Sequence, residues 1–204
     1  MKKNFFLIGL LCVVCSCSST KSKFSPINAY LTEKVKTNDS IIIIANKINN
    51  NYTLDLWKKR ASISENPNIK ESSIDENPRV FEEKFWIEMN SKYRNHDKNI
   101  DSLWLKQTLW QQKDFKSFKV KFMPENTFPK PYLYNEYNKA MDKKNEMTVF
   151  SFSEPMMYKK EYVVFAKAIT TTKQKYIEPR SFVIMKIENG KWKIVKEIND
   201  GYYD

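Results

Sequence analysis

The chain has 204 residues, with 35 Lys and Arg against 24 Asp and Glu, a formal charge of +11, one His, three Cys and three Gly. Gly9 and every cysteine lie within the first 17 positions, which leaves too few glycines beyond them for a phosphate-cradling loop or a dinucleotide fingerprint, and too few His and Cys for a nitrogen- and sulfur-ligated metal cage. An apolar share of 41% with 14% aromatics suffices for a core, and the positive excess favours anionic surfaces: phospholipid headgroups, acidic glycans or nucleic acid.

Met1-Lys2-Lys3-Asn4 is a short positive start, and Phe5 to Val14 is an almost unbroken apolar run. About ten apolar residues are half of what a helix needs to cross a bilayer, so the run reads as the core of an export signal. Val14-Cys15-Ser16-Cys17-Ser18 follows, with a branched aliphatic at −3, a small residue at −1 and Cys17 at +1. This stretch resembles a bacterial lipoprotein signal. The resemblance implies a diacylglyceryl thioether on the Cys17 thiol, cleavage before Cys17 and fatty acylation (palmitate) of the freed amine. Cys15 at −2 and Val14 in place of Leu depart from the strict form. Residues 1–16 then form the signal peptide, 17–25 a lipidated tether, and 26–204 a single domain. Cys12 and Cys15 have the spacing of a thiol redox pair, but they would be discarded with the leader. In the lipoprotein resemblance, Ser18 rather than Asp after the lipid site implies sorting to the outer membrane, and the lack of the acids that some lipoproteins carry there, in Ser19 to Lys23, implies a periplasm-facing leaflet.

Past the tether, Ile27, Tyr30, Leu31 and Val35 have helical spacing, with Ser25 as N-cap and Pro26 at the first helical position. Four isoleucines, Ile41 to Ile44, predict a short buried strand. Asn49-Asn50-Asn51 predicts a turn, and Leu54 to Trp57 a short helix. The Ser-, Asn-, Pro- and Glu-rich stretch 62–78 predicts an exposed loop. Phe81, Phe85, Trp86, Met89 and Tyr93 then outline one helical face, opposed by Glu82, Glu83, Lys84 and Glu88. Ile100, Leu103, Trp104, Leu105, Leu109 and Trp110 predict a further helix with Asp101 near its start. Phe115 to Met123 alternates as a strand.

Four strands are predicted in the last third: 147–153, 161–170, 180–188 and 191–198. Asn189-Gly190 between two apolar runs marks a hairpin, because both residues tolerate positive φ. In the last strand Trp192, Ile194 and Ile198 are expected on one face, with Lys193 and Glu197 on the other. The 161–170 strand is apolar on both faces and is expected centrally. Phe150 to Pro155, Tyr162 to Phe165 and Asn189 to Val195 resemble the C-terminal core of small uncharacterised bacterial envelope lipoproteins. That resemblance implies a fold and a compartment, and no activity.

The expected architecture is α+β. N-terminal helices pack on a C-terminal antiparallel β-meander of about four strands, with 26–123 mainly helical plus one or two strands and 147–198 forming the sheet. Candidate chemistry is sparse. His96 with Asp97 or Asp101 lacks a serine in a nucleophile-elbow context. Glu82, Glu83 and Glu88, or Glu154 and Glu161, are the carboxylates from which a glycosidase pair could be drawn. Lys113, Lys116, Lys119 and Lys121 alternate with Phe115, Phe118 and Phe122, a pattern that nucleic-acid binders use and that a strand with lysines outward also produces. Met156-Met157-Tyr158 and Tyr132, Tyr134 and Tyr137 are candidates for an aromatic surface. No catalytic, cofactor or metal site is expected, and Cys17 is the one functional residue assigned. The expected function is non-catalytic: a lipid-anchored envelope protein that binds a protein partner or an anionic lipid or glycan, with nucleic acid excluded by compartment. A carboxylate-dependent glycan hydrolase and an immunity-type inhibitor are the alternatives.

Overall fold

The isoleucine run becomes the second strand in from one edge of the sheet. In the computed structural model, which describes residues 25–35, 41–64, 80–96, 103–115, 117–127, 147–172 and 181–199, β1 (Ile41–Ile44) is buried along its whole length. It lies between β4 (Val120–Met123) and β5 (Thr148–Phe152) and runs parallel to both. The order continues from β5 through β7 (Tyr162–Thr171) and β8 (Ser181–Glu188) to β9 (Lys191–Asn199), each pair antiparallel. The α+β class and the antiparallel C-terminal strands therefore stand, but the sheet is mixed. The described residues before 124 supply four strands, β1 to β4, where one or two were expected.

The helix expected over 100–110 is a correction. Leu103 to Trp110 instead form β3 (Trp104–Leu109), antiparallel to β2 (Asn46–Ile48), a strand absent from the sequence reading. The apolar letters at 103, 104, 105, 109 and 110 fit either period. Backbone partners decide between them: Asn49 N–H donates to the Leu103 carbonyl at 2.8 Å, and Trp110 N–H to the Ala45 carbonyl at 2.8 Å. Trp104 thus covers the sheet from a strand, packed on the cluster of Ile42, Ile44 and Val149.

The helices are α1 (Ser25–Lys34), α2 (Asn50–Ser64) and α3 (Glu83–Tyr93). α2 absorbs the expected asparagine turn, because Asn49 Oδ1 accepts the Asn51 N–H at 3.1 Å and so satisfies an orphan donor at the helix start. One face of the sheet packs on α1, with Ile27, Tyr30 and Leu31 against Phe152, Phe165, Val183 and Met185. Tyr30 meets the Phe152 and Phe165 rings edge-on at 6.0 and 5.9 Å. The opposite face packs on α2 and α3. There Trp57 contacts Tyr158 and Phe182, while Trp86 and Met89 join the same cluster. Val163 and Phe165 face α1 and Val164 faces α2, so β7 is covered on both sides as its letters require.

Two irregularities interrupt the sheet. β6 (Met156–Tyr158) pairs with β7 beyond the end of β5, so β5 and β6 are one strand interrupted at Ser153-Glu154-Pro155. A bulge also lies between the Ile184 and Met185 positions of the β8–β9 pair. It reverses the side-chain alternation of β9. Trp192 and Ile194 pack on the α1 side, whereas Val195 and Ile198 pack on the α2 side, which corrects the single face expected for Trp192 and Ile198. The same reversal turns Glu197 toward α1, where it meets Lys34 at 2.7 Å and also Lys167.

Two turns run through the left-handed region. Asn189 and Gly190 have φ of 49° and 76°, as the hairpin motif requires. Lys159 and Lys160, at 50° and 62°, adopt it without a glycine, at about 1–2 kcal/mol each. Lys159 is held there by its ion pair with Glu82 and by the Phe85 and Tyr158 rings, 5.5 and 5.3 Å from its Nζ.

Candidate functional site

The expected leader, the expected tether up to residue 24 and Cys17 lie outside the described residues, as do Asp97, Asp101, Lys116 and the tyrosines at 132, 134 and 137. His96 is exposed beyond the end of α3.

The carboxylate candidates do not converge on one another. Each of four meets a lysine: Glu82 with Lys159, Glu83 with Lys58, Glu154 with Lys47 at 2.6 Å and Glu161 with Lys186 at 3.7 Å. Glu88 is exposed on α3. Among the described residues no group of three or more His, Cys, Asp or Glu is arranged to hold a metal ion.

The basic-aromatic stretch separates by burial. Phe115 and Phe118 are buried, with Phe115 ring to ring with Trp110 and Phe122 at 5.4 and 6.1 Å, whereas Lys113, Lys119 and Lys121 are exposed. A short 3-10 turn over Gln112–Asp114 delivers these rings to the core. Buried Asp114 accepts the Gln111 N–H at 2.9 Å, and its carbonyl accepts Asn28 Nδ2 of α1 at 2.7 Å. The rings are thus used in packing and are not presented for stacking. Met156 and Tyr158 are likewise core residues, and of that motif only Met157 is exposed. The Tyr158 hydroxyl accepts the Glu82 N–H at 2.7 Å and donates to the Val80 carbonyl at 3.1 Å, tying the start of α3 to β6. Burial, partly offset by the hydrogen bond to the Glu82 backbone, pushes its pKa up to about 12.

The densest polar cluster is one that sequence reasoning missed. Lys47 is only 5% exposed, yet its ammonium meets Glu154 and sits 4.6 Å from the Trp110 ring centre. Next to Glu154, the fully buried Ser153 Oγ accepts the Ala166 N–H at 2.9 Å, donates to the Glu154 carbonyl at 3.3 Å and lies 3.5 Å from Thr53 Oγ1 on α2. These bonds satisfy the backbone where β5 breaks before β6, and they clamp β2 and α2 onto the break. A buried serine with its hydroxyl engaged in this way is a structural joint, not an exposed nucleophile. The signal was a single lysine inside the apolar run 41–48.

A second network lies under α1. Burial pushes Glu197 up, but hydrogen bonds from Lys167 and Lys34 outweigh it and leave the carboxyl below its ordinary range. Tyr30, buried beside Glu197, is held well above the usual phenol range. At the other end of α1, Trp192 Nε1 donates to Ser25 Oγ at 3.0 Å. Here α1 and the β8–β9 hairpin enclose a shallow cleft of about 430 Å³, lined by Ser25, Ala29, Thr32, Glu33, Gly190 and Trp192. No helix among the described residues is long and apolar enough to cross a membrane.

No protein family, curated protein or solved structure matches the chain.

Proposed function

We propose that the chain is a lipid-anchored protein of the bacterial cell envelope. Cys17 carries the acyl chains at the outer membrane, and the α+β domain acts in the periplasm by binding, not by catalysis. The observation that carries this reading is the Val14-Cys15-Ser16-Cys17 junction at the end of a ten-residue apolar run, which is too short to span a bilayer. Two or more acyl chains hold a protein on a bilayer stably, at about 0.8 kcal/mol per buried methylene. The domain's chemistry agrees with a binding role. Four of its five candidate acids face lysines, its buried serine holds a strand break, and its net charge favours an anionic or acidic partner.

Metabolic labelling with palmitate tests the anchor. Wild-type protein takes up label and fractionates with membranes, whereas Cys17→Ser abolishes the label and releases the protein. Undiminished labelling of Cys17→Ser would reject the assignment.

A further inference from the structure

We infer that the end of the domain from which the chain leads back toward Cys17 docks on the anionic headgroup layer of the bilayer; this rests on the reading of Cys17 as the acylated residue. Three segments meet at that end. Ser25 opens α1 and is hydrogen-bonded to Trp192, next to the β8–β9 turn. The β6–β7 turn joins them, since Tyr162 pairs with Lys186 and the Ile187 N–H donates to the Glu161 carbonyl at 3.0 Å. Lys159, Lys160, Lys186, Lys191 and Lys193 are therefore gathered at one pole. Four acids share that end: Glu82 is paired with Lys159 and Glu161 with Lys186, Glu188 stands opposite Lys191 in the strand register, and exposed Glu33 lines the cleft beside Lys191 and Lys193, so five lysines meet four acids.

Lys160, Lys191 and Lys193 are exposed. Lys160 stands on a left-handed turn position that a glycine would occupy without strain. Eight peptide links separate Cys17 from Ser25, a reach of at most roughly 29 Å. An acylated Cys17 therefore keeps this pole close to the membrane. That reach lets the pole touch the headgroups, and within a Debye length of roughly 8 Å each exposed lysine strengthens association with an anionic leaflet by a factor of about five. The opposite pole, where β7 ends at Thr171 and β8 begins at Ser181, then points away from the bilayer.

The test is lysine footprinting of the full chain purified from membranes. Protein is reconstituted into vesicles of phosphatidylethanolamine and phosphatidylglycerol (7:3) or of phosphatidylcholine alone, then labelled with an amine-acylating reagent and read by mass spectrometry. Lys121 is the internal control. It is exposed and, through Ile42 and Val149, lies at the level of Thr170, eight residues along β7 from Tyr162. The expected result is at least fivefold slower labelling of Lys160, Lys191 and Lys193 in anionic vesicles, reversed by 0.5 M salt, with Lys121 unchanged. Equal labelling in the two vesicle types overturns the inference. So does equal protection by soluble glycerophosphate without vesicles, which would indicate a small phosphate site. The mass of the peptide bearing Cys17, read in the same spectra, separates the two claims. An acylated Cys17 with unprotected lysines sinks the docking pole alone. A bare Cys17 with lysines protected on anionic vesicles sinks the anchor alone.

Discussion

Lys47 and Glu154 form an unequal pair, and the inequality can be measured. The Lys47 side chain is 6% exposed and that of Glu154 is 24% exposed. In Glu154→Gln the ammonium stays buried and loses its carboxylate. Removing one partner from a fully buried pair costs about 3–5 kcal/mol, and the partial exposure of Glu154 lowers the expectation to about 2–3 kcal/mol. Lys47→Met removes the buried charge and keeps a stem of similar length against Trp110. Glu154 can then turn its carboxylate to water, so the loss is about 1 kcal/mol, most of it the cation–ring contact. Urea unfolding reads both. With a slope of about 2 kcal/mol per molar, Glu154→Gln shifts the midpoint down by about 1–1.5 M, and Lys47→Met by about 0.5 M. A Lys47→Met variant as destabilised as Glu154→Gln would refute the account of a desolvated ammonium held by a half-solvated acid.

Stability should also fall at both pH extremes. The depressed Glu197 carboxyl contributes stability that is complete above its unfolded pKa and is lost as pH falls through its folded value, so Glu197→Gln flattens the acid limb. Tyr158 and Tyr30 are raised, so their contribution is complete below the ordinary phenol pKa and is lost as pH climbs from about 10. Tyr158→Phe, which gives up its bonds to Glu82 and Val80, costs about 1–2 kcal/mol at neutral pH. It also makes thermal stability less steep between pH 10 and 12, and an unchanged slope would contradict the burial argument. Lys160→Gly removes a left-handed non-glycine residue and should stabilise by about 0.5–1 kcal/mol; a lowered Tm would show that the turn is not strained.

What the letters revealed follows from what they encode. Alternation and β-branching encode whether a segment is extended and which side is buried, so β1, β5, β7, β8 and the Asn189-Gly190 hairpin were readable. Trp86 and Met89 on α3 were readable for the same reason, through the helical period. Partners are not encoded locally. Nothing in Ile41–Ile44 says that the strand runs parallel to two segments far ahead in the chain, and a meander was the simplest sheet compatible with the C-terminal letters alone. Leu103 to Trp110 carried an ambiguous period that backbone pairing with β2 resolved. The β9 bulge was invisible because one extra residue leaves no compositional trace, yet it decides where Ile198 and Glu197 point. The Lys47 joint was marked only by a charge in an apolar run, and its meaning depends on Glu154, more than a hundred positions away.

The placement of β1 also governs how the chain must assemble. Ile42 waits for Val149, so four adjacent isoleucines with strong sheet propensity leave the ribosome long before their β5 neighbour exists. β4 can cover one edge once residue 123 has emerged, but the other edge stays open to self-association until β5 follows. Nor can the C-terminal hairpins be excised as a miniature version of the protein. Cutting before β5 strips its inner flank bare, so a fragment from residue 147 onward should precipitate where residues 25–199 together remain dispersed.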